Sequence, residues 1–541
     1  MKSNRRKVVS YLMTNKYRII SLLIALVMCC ALFAACGGGA DESNAPESAP
    51  QDGSEQSAGS AEPASGDESL SPEELYNVYM GDEYDGMTFT VFTSDVDEEA
   101  LSDIVYNTEA VGGELLPDRM NNALLNRQNT LKQKLGVDLM EIYHYDSARL
   151  GNTALNKVRE AIQTGSDEFQ AVNISLYDMG TLSLEGDLYN LYDVPDFEPS
   201  NPWWDQTFNN SVEMFGKLYF THGDIDFRTK NAITCILYNR TLCDKLGLED
   251  PVQLTIDYQW TLDKCIQIAK SLSNDKEGDG IDYLDDIGWA GQWDDMYYMM
   301  YGSGIRILTP DGRGYPQLSF YDAKTENVVT KVLGFMADTE HYISGNDLWN
   351  KTPWKWPMEA LLDGFAKGRY IFFAGVVEHV FMLKEMTDEF AIVPSPMYDE
   401  NQQQYYSLLN TWGANAFGVA INVSEGSELR FVGRVLDTLG YLSWKEYPDS
   451  LAYNYYEVVL KNQKLTTEES EKMIDIIFNS AGCETGAIYQ VGGANQTIYD
   501  MIANELMANK RTDGLAAVYD RNKTRFEDSV QDIIDTFNDQ D

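Results

Sequence analysis

The feature that most constrains the fold is an alternation of strand and helix patterns between residues 87 and 174. Strand patterns at 87–92, 137–142 and 171–174 are separated by helix-period apolar residues at 120–135 and 155–164, and Gly136 ends the first helix. This alternation predicts a parallel sheet with helices on its faces. Ligands of such sheets lie beyond the carboxyl ends of the strands, so the loops at 93–97 and 175–180 are candidate binding loops.

The length of the chain predicts more than one lobe. A chain of 541 residues exceeds what one hydrophobic core usually serves, even after removal of a leader. No internal period of 20 to 50 residues is present, so a solenoid is not expected.

Residues 1–35 have the organisation of a bacterial export signal. Basic residues precede an apolar run at 19–33, and Ala34 and Ala35 come directly before Cys36 and three glycines. This ending resembles a lipobox, which implies a lipid on Cys36 and a protein anchored at the extracellular face of the membrane of a Gram-positive bacterium. The alternative is a plain signal peptide or a single membrane anchor in which Cys36 is incidental.

Residues 36–80 read as a lipidated cysteine followed by a disordered acidic linker. The stretch 37–69 consists mainly of Gly, Ser, Ala, Pro and acidic residues, and it cannot bury enough apolar surface to offset the entropy of ordering. Such a segment would act as a flexible tether between the lipid and the folded part.

The charge balance excludes nucleic acid as a partner. The chain has 85 acidic and 41 basic residues, a formal net charge of −44, and therefore lacks the electrostatic attraction that drives binding to phosphate. An anionic membrane surface would also repel it, so the lipid must hold the protein there.

The cysteines outside the leader do not form a disulfide framework. Cys235, Cys243, Cys265 and Cys483 are expected to be buried thiols, with one bridge among the three at 235–265 left open. No CxxC or CxxH spacing is present, so a zinc site is not expected.

Eight stretches of the sequence carry a resemblance to a known family. They are 155–158 with 165–172, 185–191 (EGDLYNL), 236–248 (ILYNRTLCDKLGL), 260–263 (WTLD), 365–375 (FAKGRYIFFAG) with 390–396 (FAIVPSP), and 412–421 (WGANAFGVAI). Their order and spacing, behind the lipobox, resemble the extracellular solute-binding proteins of ABC importers, a family that includes maltose-binding protein and many sugar-binding lipoproteins.

The resemblance implies an α/β fold of two lobes, each a helix-flanked sheet, joined by a hinge of crossing strands. Lobe 1 would comprise 81–230 plus 390–445, and lobe 2 would comprise 231–389 plus 446–541, with crossings near 228–232, 390–396 and 443–447. The implied function is capture of a small solute by a monomer that delivers it to ABC permease subunits, and the expected solute is an oligosaccharide. No catalysis and no required cofactor are implied.

Candidate ligand residues follow from the needs of a sugar, which offers C–H faces to aromatic rings and hydroxyls to fixed polar groups. Several lie in positions that match the family's binding loops, and for each aromatic a packing role is the alternative. The candidates are Tyr177, Asp178, Asp224, Asp226, Gln292, Trp293 and Trp412. The pair Trp203-Trp204 is a further candidate, either as a platform or as a lid packed on another tryptophan.

An acidic turn at 275–286 nearly fits a calcium-binding loop. Its possible ligands at the positions that converge on the ion are Asp275, Glu277, Asp279, Ile281 and Asp286. The alternative is a solvated acidic turn without an ion.

The competing function is that of a cell-surface glycoside hydrolase, since that chemistry needs two carboxylates and aromatic subsites. The sequence shows no G-x-S-x-G, Walker A, G-x-G-x-x-G or H-E-x-x-H motif, so serine hydrolase, NTPase, dinucleotide-binding and zincin activities lack their usual signals.

Overall fold

A computed structural model describes residues 74, 84, 86–98, 100–109, 116–151, 153–383, 385–465, 467–493 and 498–540, without the side chains of 462–464. The predicted leader, the predicted lipidation site Cys36 and nearly all of the predicted linker lie outside these residues. No helix within the described part is both long and apolar enough to cross a bilayer.

Strands and helices alternate along most of the described chain. The strands are β1 Thr88–Asp95, β2 Asp138–Tyr145, β3 Ala171–Ser175, β4 Thr234–Asn239, β5 Ser273–Asn274, β6 Asp286–Gly291, β7 Leu308–Pro310, β8 Pro316–Leu318, β9 Tyr342–Ser344, β10 Tyr370–Val376, β11 Phe390–Val393, β12 Ser407–Leu408, β13 Asn415–Gly418 and β14 Ala481–Gly482. The helices are α1 Asp118–Leu135, α2 Thr153–Thr164, α3 Leu176–Glu185, α4 Gln206–Val212, α5 Arg228–Asn231, α6 Arg240–Leu246, α7 Pro251–Ile256, α8 Leu262–Ala269, α9 Asp295–Gly302, α10 Ala323–Met336, α11 Pro357–Ala366, α12 His379–Met382, α13 Ser427–Ser443, α14 Leu451–Tyr453, α15 Glu468–Asn479, α16 Thr485–Ile488, α17 Ile498–Ile502 and α18 Leu515–Asp539, with π-helical turns at Asn454–Lys464 and Ala503–Met507.

The first sheet has the strand order β13-β3-β1-β2. Strand β1 pairs in parallel with β2 and β3, whereas β13 runs antiparallel to β3. The three parallel strands and the helices between them lie where the sequence predicts them. Gly136 ends α1 with φ 75°, a left-handed conformation in which glycine has no Cβ to clash, and its N–H donates to the Lys132 carbonyl.

The second sheet has the order β11-β4-β10-β6-β5, with β9 also paired to β6. Strands β6, β9 and β10 are parallel, so their carboxyl ends lie at one edge, whereas β4 is antiparallel to β10 and β11. Its central strands are buried on both faces, as expected for a sheet covered by helices. Two helix-flanked sheets confirm the predicted fold class, and both belong to one compact unit.

Between β3 and β13 the chain passes from the first sheet to the second and then back to the first. The first passage is at 228–233, beside the crossing expected near 228–232, and leads from α5 into β4. The second is at 409–414, where Leu409 bridges to Ile233 and the Asn410 N–H donates to the Ala232 carbonyl at 3.0 Å. The predicted crossing at 390–396 is wrong, because Phe390–Val393 is β11 and pairs with β4 in the second sheet.

The residues after 450 do not belong to the second sheet alone, in contrast to the predicted lobe boundary. Near the start of α18, Tyr519 stacks on Tyr321 beside β8, with ring centroids 4.6 Å apart. Near its end, Phe537 packs against Tyr219, which lies beside the first sheet. Helix α16 lies so close to α3 that a Cβ on Gly180 would be 2.7 Å from the Ile488 carbonyl oxygen. The C-terminal segment therefore contacts elements around both sheets.

The Trp203-Trp204 pair belongs to the core. Both indoles are almost fully buried, and their Nε1 atoms donate to Asp437 at 2.7 and 2.8 Å. Trp203 packs on Tyr441 of α13 and on Trp444, which directly follows that helix. These contacts give the pair a packing role.

Candidate functional site

The carboxyl ends of strands from both sheets face one another. Tyr177 lies just after β3, and Asp294 lies just after β6, and both keep partial contact with solvent. Burial raises the pKa of Tyr177, and the charges of Asp500 and Asp294 raise it further. These two side chains come from different sheets, are partly exposed and lie within electrostatic reach of each other. The space beyond these strand ends is therefore the candidate binding site, and we call it the cleft.

Helix α9 forms one wall of this cleft. The Tyr298 hydroxyl accepts a hydrogen bond from Asn410 Nδ2 at 3.1 Å, and Tyr298 also interacts electrostatically with Tyr177. Asn410 belongs to the second passage between the sheets, so the cleft wall and the connection are bonded directly. A movement of the two sheets relative to each other would change this contact.

The C-terminal segment also contributes residues to the cleft, next to those of α9. The Tyr499 ring of α17 lies 5.3 Å from the Tyr297 ring of α9, measured between centroids, and the Tyr499 hydroxyl hydrogen-bonds to the Asp294 carboxyl group. Sequence reasoning missed Tyr297, Tyr298 and Tyr499. The high tyrosine content was visible, but no local motif marks which tyrosines line the cleft.

A charged cluster lies at the carboxyl end of β1. Arg149 and Arg228 both pair with the buried Asp95 carboxylate, at 2.9 and 2.5 Å, and Arg149 also donates to Asn415 Oδ1. Burial disfavours the charged form of Asp95, but the two arginines outweigh it and lower the pKa. Glu378, which follows β10 in the second sheet, is exposed, yet the surrounding protein raises its pKa, as expected for a carboxylate inside a concave surface.

Asp178 does not face the cleft. It is almost fully buried, and its Oδ1 accepts the Gly151 N–H at 2.8 Å. Burial raises the pKa of this carboxyl group to about 6. In this position Asp178 fixes the loop that precedes α2, and its neighbour Tyr177 is the residue that reaches the cleft.

Asp224 and Asp226 hold the first passage between the sheets. Asp224 pairs with Lys230 at 3.0 Å and accepts the Lys445 N–H at 2.9 Å. Asp226 is buried and accepts the Thr229 N–H at the start of α5, and burial raises its pKa to about 7. The two acids therefore shape the connection rather than the open surface of the cleft.

Gln292 and Trp293 lie at the cleft edge of the second sheet. The Gln292 carbonyl accepts the Tyr342 hydroxyl at 2.8 Å, and its side chain hydrogen-bonds to Tyr298. Trp293 is partly buried against the core, and its N–H donates to Asn346 Oδ1 at 2.8 Å.

Three tryptophans are exposed near the ends of strands. Trp412 lies within the second passage and is 50% exposed, and its N–H donates to Asn410 Oδ1. Trp349 and Trp356, 52% and 41% exposed, follow β9, whose carboxyl end lies at the same edge as those of β6 and β10.

The structure does not support the predicted calcium loop. Asp275 accepts the N–H groups of Gly278 and Gly280, and Asp286 pairs with Lys276. In the described part of the chain, the one group with three potential ligand atoms within 4.8 Å is Asp338, Glu340 and His341. There, Lys270 already pairs with Asp338 at 2.8 Å.

The four cysteines described by the structure are free and buried, as predicted, and no bridge joins any of them. Burial raises the pKa of each thiol, that of Cys243 to about 12.

A separate cavity of about 290 Å³ lies between α2 and the strands β1 and β2. Its lining includes Phe92, whose ring contacts those of His144 and Phe169, and Lys157 of α2. It is distinct from the cleft, which is lined by the loops that follow the strands.

No family model and no curated protein matches this chain. The solved structures that are similar to this chain include substrate-binding proteins of ABC transporters.

One is a protein of this class from Listeria monocytogenes, in complex with cycloalternan, with 13% identity over 84% of this chain and 100% of that chain and a TM-score of 0.48. Another is the GacH receptor of Streptomyces glaucescens, studied with acarbose, with 14% identity over 82% of this chain and 99% of that chain and a TM-score of 0.49. A third, from Thermotoga lettingae and bound with α-D-tagatose, has 14% identity over 83% of this chain and 100% of that chain and a TM-score of 0.48. These identities are too low to carry a ligand over to this chain.

Proposed function

We propose that this protein is the extracellular solute-binding component of an ABC importer and that its solute is an oligosaccharide. The observation that carries the proposal is the proximity of residues that follow strands of the two sheets, since Tyr177, next to β3, lies within electrostatic reach of Asp294 and Tyr298, which follow β6. Clefts in this position of an α/β fold are ligand sites.

The residue types in and around the cleft suit a sugar. Aromatic rings stack on the C–H faces of a pyranose, and Trp412, Trp349 and Trp356 expose such rings near the strand ends. Tyrosine hydroxyls, amides and carboxylates supply hydrogen bonds to sugar hydroxyls, and bonds to the ionised groups are the stronger ones.

In the proposed mechanism the solute is bound by movement of the sheets and not by covalent chemistry. The passages at 228–233 and 409–414 form the hinge, with the bridge between Ile233 and Leu409 at its centre. Solute contacts made from both sides would favour the closed arrangement, which the ABC permease subunits would recognise.

The proposed anchor is a lipid on Cys36. Two acyl chains add about 0.8 kcal/mol of membrane affinity for each buried methylene, enough to retain a protein whose acidic surface is repelled by the membrane. Mass spectrometry of the mature N-terminus should find an acylated Cys36, and Cys36→Ala should release the protein from the cell surface. Retention of the variant at the membrane would contradict the lipid anchor.

Binding and turnover distinguish a solute-binding protein from a glycoside hydrolase. A panel of oligosaccharides should contain members that raise the melting temperature, since ligand at 100 times its Kd stabilises a protein by about 2.7 kcal/mol. Chromatography of the same mixtures should recover the sugars intact. Cleavage of a bound sugar would instead establish the hydrolase, and an unresponsive panel would remove the carbohydrate proposal.

A further inference from the structure

The cavity between α2 and the strands β1 and β2 is a second candidate binding site. Its volume is about 290 Å³. Pockets for drug-sized ligands have about 300–1,000 Å³, so this cavity suits a smaller molecule. Its lining combines buried rings with exposed charged side chains of both signs. We propose that the cavity binds a free amino acid with an apolar side chain, at a site distinct from the cleft.

The floor of the cavity is largely apolar and is held in place by packing. The rings of Phe92 and Phe169 stack with their centroids 5.1 Å apart, and the His144 ring lies 5.8 Å from Phe92. His144 Nε2 lies 2.8 Å from Thr153 Oγ1, a hydrogen bond that orients the imidazole. Phe92 and Phe169 are almost fully buried, whereas Ile142 and His144 are partly exposed. An apolar group in the cavity would therefore cover Ile142 and His144 and remove their surface from water, which is favourable.

The rim of the cavity carries charges that are not paired within the protein. Lys157 and Glu160 lie on α2, and Glu168 lies between α2 and β3. All three side chains belong to exposed residues, and none forms an ion pair within 4 Å among the described residues. Lys157 and Glu160 are three positions apart, a spacing at which side chains of a helix can pair, yet they do not. By contrast, Arg159 on the same helix donates two hydrogen bonds to Glu185.

The rim and the floor match the three parts of an amino acid. The α-carboxylate would bind the Lys157 ammonium group, and the α-ammonium group would bind Glu160 or Glu168, both through charge-assisted hydrogen bonds. The apolar side chain would cover the floor. A neutral sugar would use neither sign of charge, and a ligand with a single charge would use only part of the rim. A zwitterion with an apolar side chain is therefore the class of small molecule that uses the whole lining.

Matched ligands test the inference on the purified full chain. Calorimetric titration would compare phenylalanine, leucine and methionine with their amides, which lack the carboxylate, and with their N-acetyl derivatives, which lack the ammonium group. Glycine has both charges but no side chain to cover the floor. We expect at least one of the three amino acids to bind about tenfold or more tightly than its two derivatives and than glycine. Equal or tighter binding of the derivatives or of glycine, or no binding of any of the three amino acids, would overturn the inference.

Variants place the ligand in the cavity. Lys157→Gln removes the ammonium group that would bind the carboxylate, so binding of the amino acid should weaken about tenfold while binding of its amide stays the same. Lys472→Gln, at an exposed lysine of α15, is the matched control and should bind like the wild type. Thr164→Trp adds an indole at an exposed position of the lining and should block the cavity.

The melting temperatures of the empty variants separate a blocked site from a damaged fold. Because Lys157 and Thr164 are exposed, these temperatures should stay close to that of the wild type. Binding of the amino acid that remains unchanged in either Lys157→Gln or Thr164→Trp would show that it binds elsewhere and would overturn the assignment.

Discussion

Arg149 Nη2 lies 2.9 Å from Asp95 Oδ1, in a buried ion pair that joins the end of β1 to the loop before α2. Arg228, from the first passage between the sheets, pairs with the other oxygen of the same carboxylate. One acid thus links the first sheet to the connection with the second. Asn415 Nδ2, at the start of β13, donates to the Ser94 carbonyl beside it.

Removal of the Asp95 charge should destabilise the protein strongly. Asp95→Asn removes the charge that pairs with the buried Arg149 and the partly buried Arg228 guanidinium groups, and breaking a buried pair in this way costs about 3–5 kcal/mol of unfolding free energy. Urea unfolding followed by tryptophan fluorescence measures the loss. The control is Asp138→Asn, which breaks a pair with Lys132 whose side chains are about half exposed, and it should cost at most about 1 kcal/mol. Equal losses in the two variants would show that the Asp95 cluster is not structurally important.

Asp295 should make the protein more stable in mild acid than at neutral pH. Its Oδ2 accepts Trp289 Nε1 at 2.7 Å and the Tyr342 hydroxyl at 2.9 Å, but burial outweighs these bonds and raises the pKa to about 7. A raised carboxyl pKa stabilises the folded state fully below the unfolded pKa, and this contribution is lost as pH rises toward about 7. Between these limits the unfolding free energy should fall with a slope of up to about 1.4 kcal/mol per pH unit.

The Asp295→Asn variant isolates this contribution. Buried His222 and His379, whose pKa values burial lowers to about 4, act with the opposite sign, because the unfolded chain binds their protons first. The difference between wild type and variant cancels them. Denaturant unfolding from pH 4.5 to 8 should show a smaller loss of stability with rising pH in the variant. Parallel profiles would contradict the prediction.

The sequence predicted the first sheet because its strands and helices are short, regular and separated by clear turn residues. It did not predict where the chain returns to that sheet. The apolar run at Phe390–Val393 would suit a buried strand in either sheet, and only its pairing with β4 decides the matter. The C-terminal helices present a similar ambiguity, since the apolar faces of α18 do not reveal that Tyr519 and Phe537 contact different parts of the fold.

The candidate site was predicted only in part, because sequence patterns locate the ends of strands but not the side chains that face the cleft. The rule that ligands lie beyond strand ends leads to Tyr177 and to the loop after β6. It does not tell which neighbour faces the cleft, so Asp178 was included although its carboxylate bonds to Gly151. Tyr499 lies more than 300 residues from Tyr177, and no local pattern connects them.

Trp412→Ala should separate binding from stability. Because the side chain is 50% exposed, its loss should change the unfolding free energy of the empty protein by less than about 0.5 kcal/mol. Loss of a stacking ring should weaken sugar binding about tenfold. Trp293→Ala should reduce both quantities, since Trp293 packs against the core.

Thermal unfolding and calorimetric titration of the Trp412 variant give the two readouts. Trp260→Ala is the control for a core indole, because Trp260 is fully buried and its Nε1 donates to the Pro394 carbonyl at 2.9 Å. It should cost about 3–5 kcal/mol of stability. A comparable loss in Trp412→Ala would assign that residue a packing role.

The four buried cysteines should be unreactive until the protein unfolds. The thiolate is the reactive form, and burial raises the pKa of Cys235, Cys243, Cys265 and Cys483 and also shields the sulfur atoms. In mature protein whose Cys36 is acylated or removed, a thiol reagent such as dithionitrobenzoate should detect almost no thiol under native conditions and all four of these thiols in denaturant. Asp347→Cys, at an exposed position, is the control and should react at once without denaturant. Detection of two thiols in denaturant, rising to four after reduction, would instead establish a disulfide that the structure does not contain.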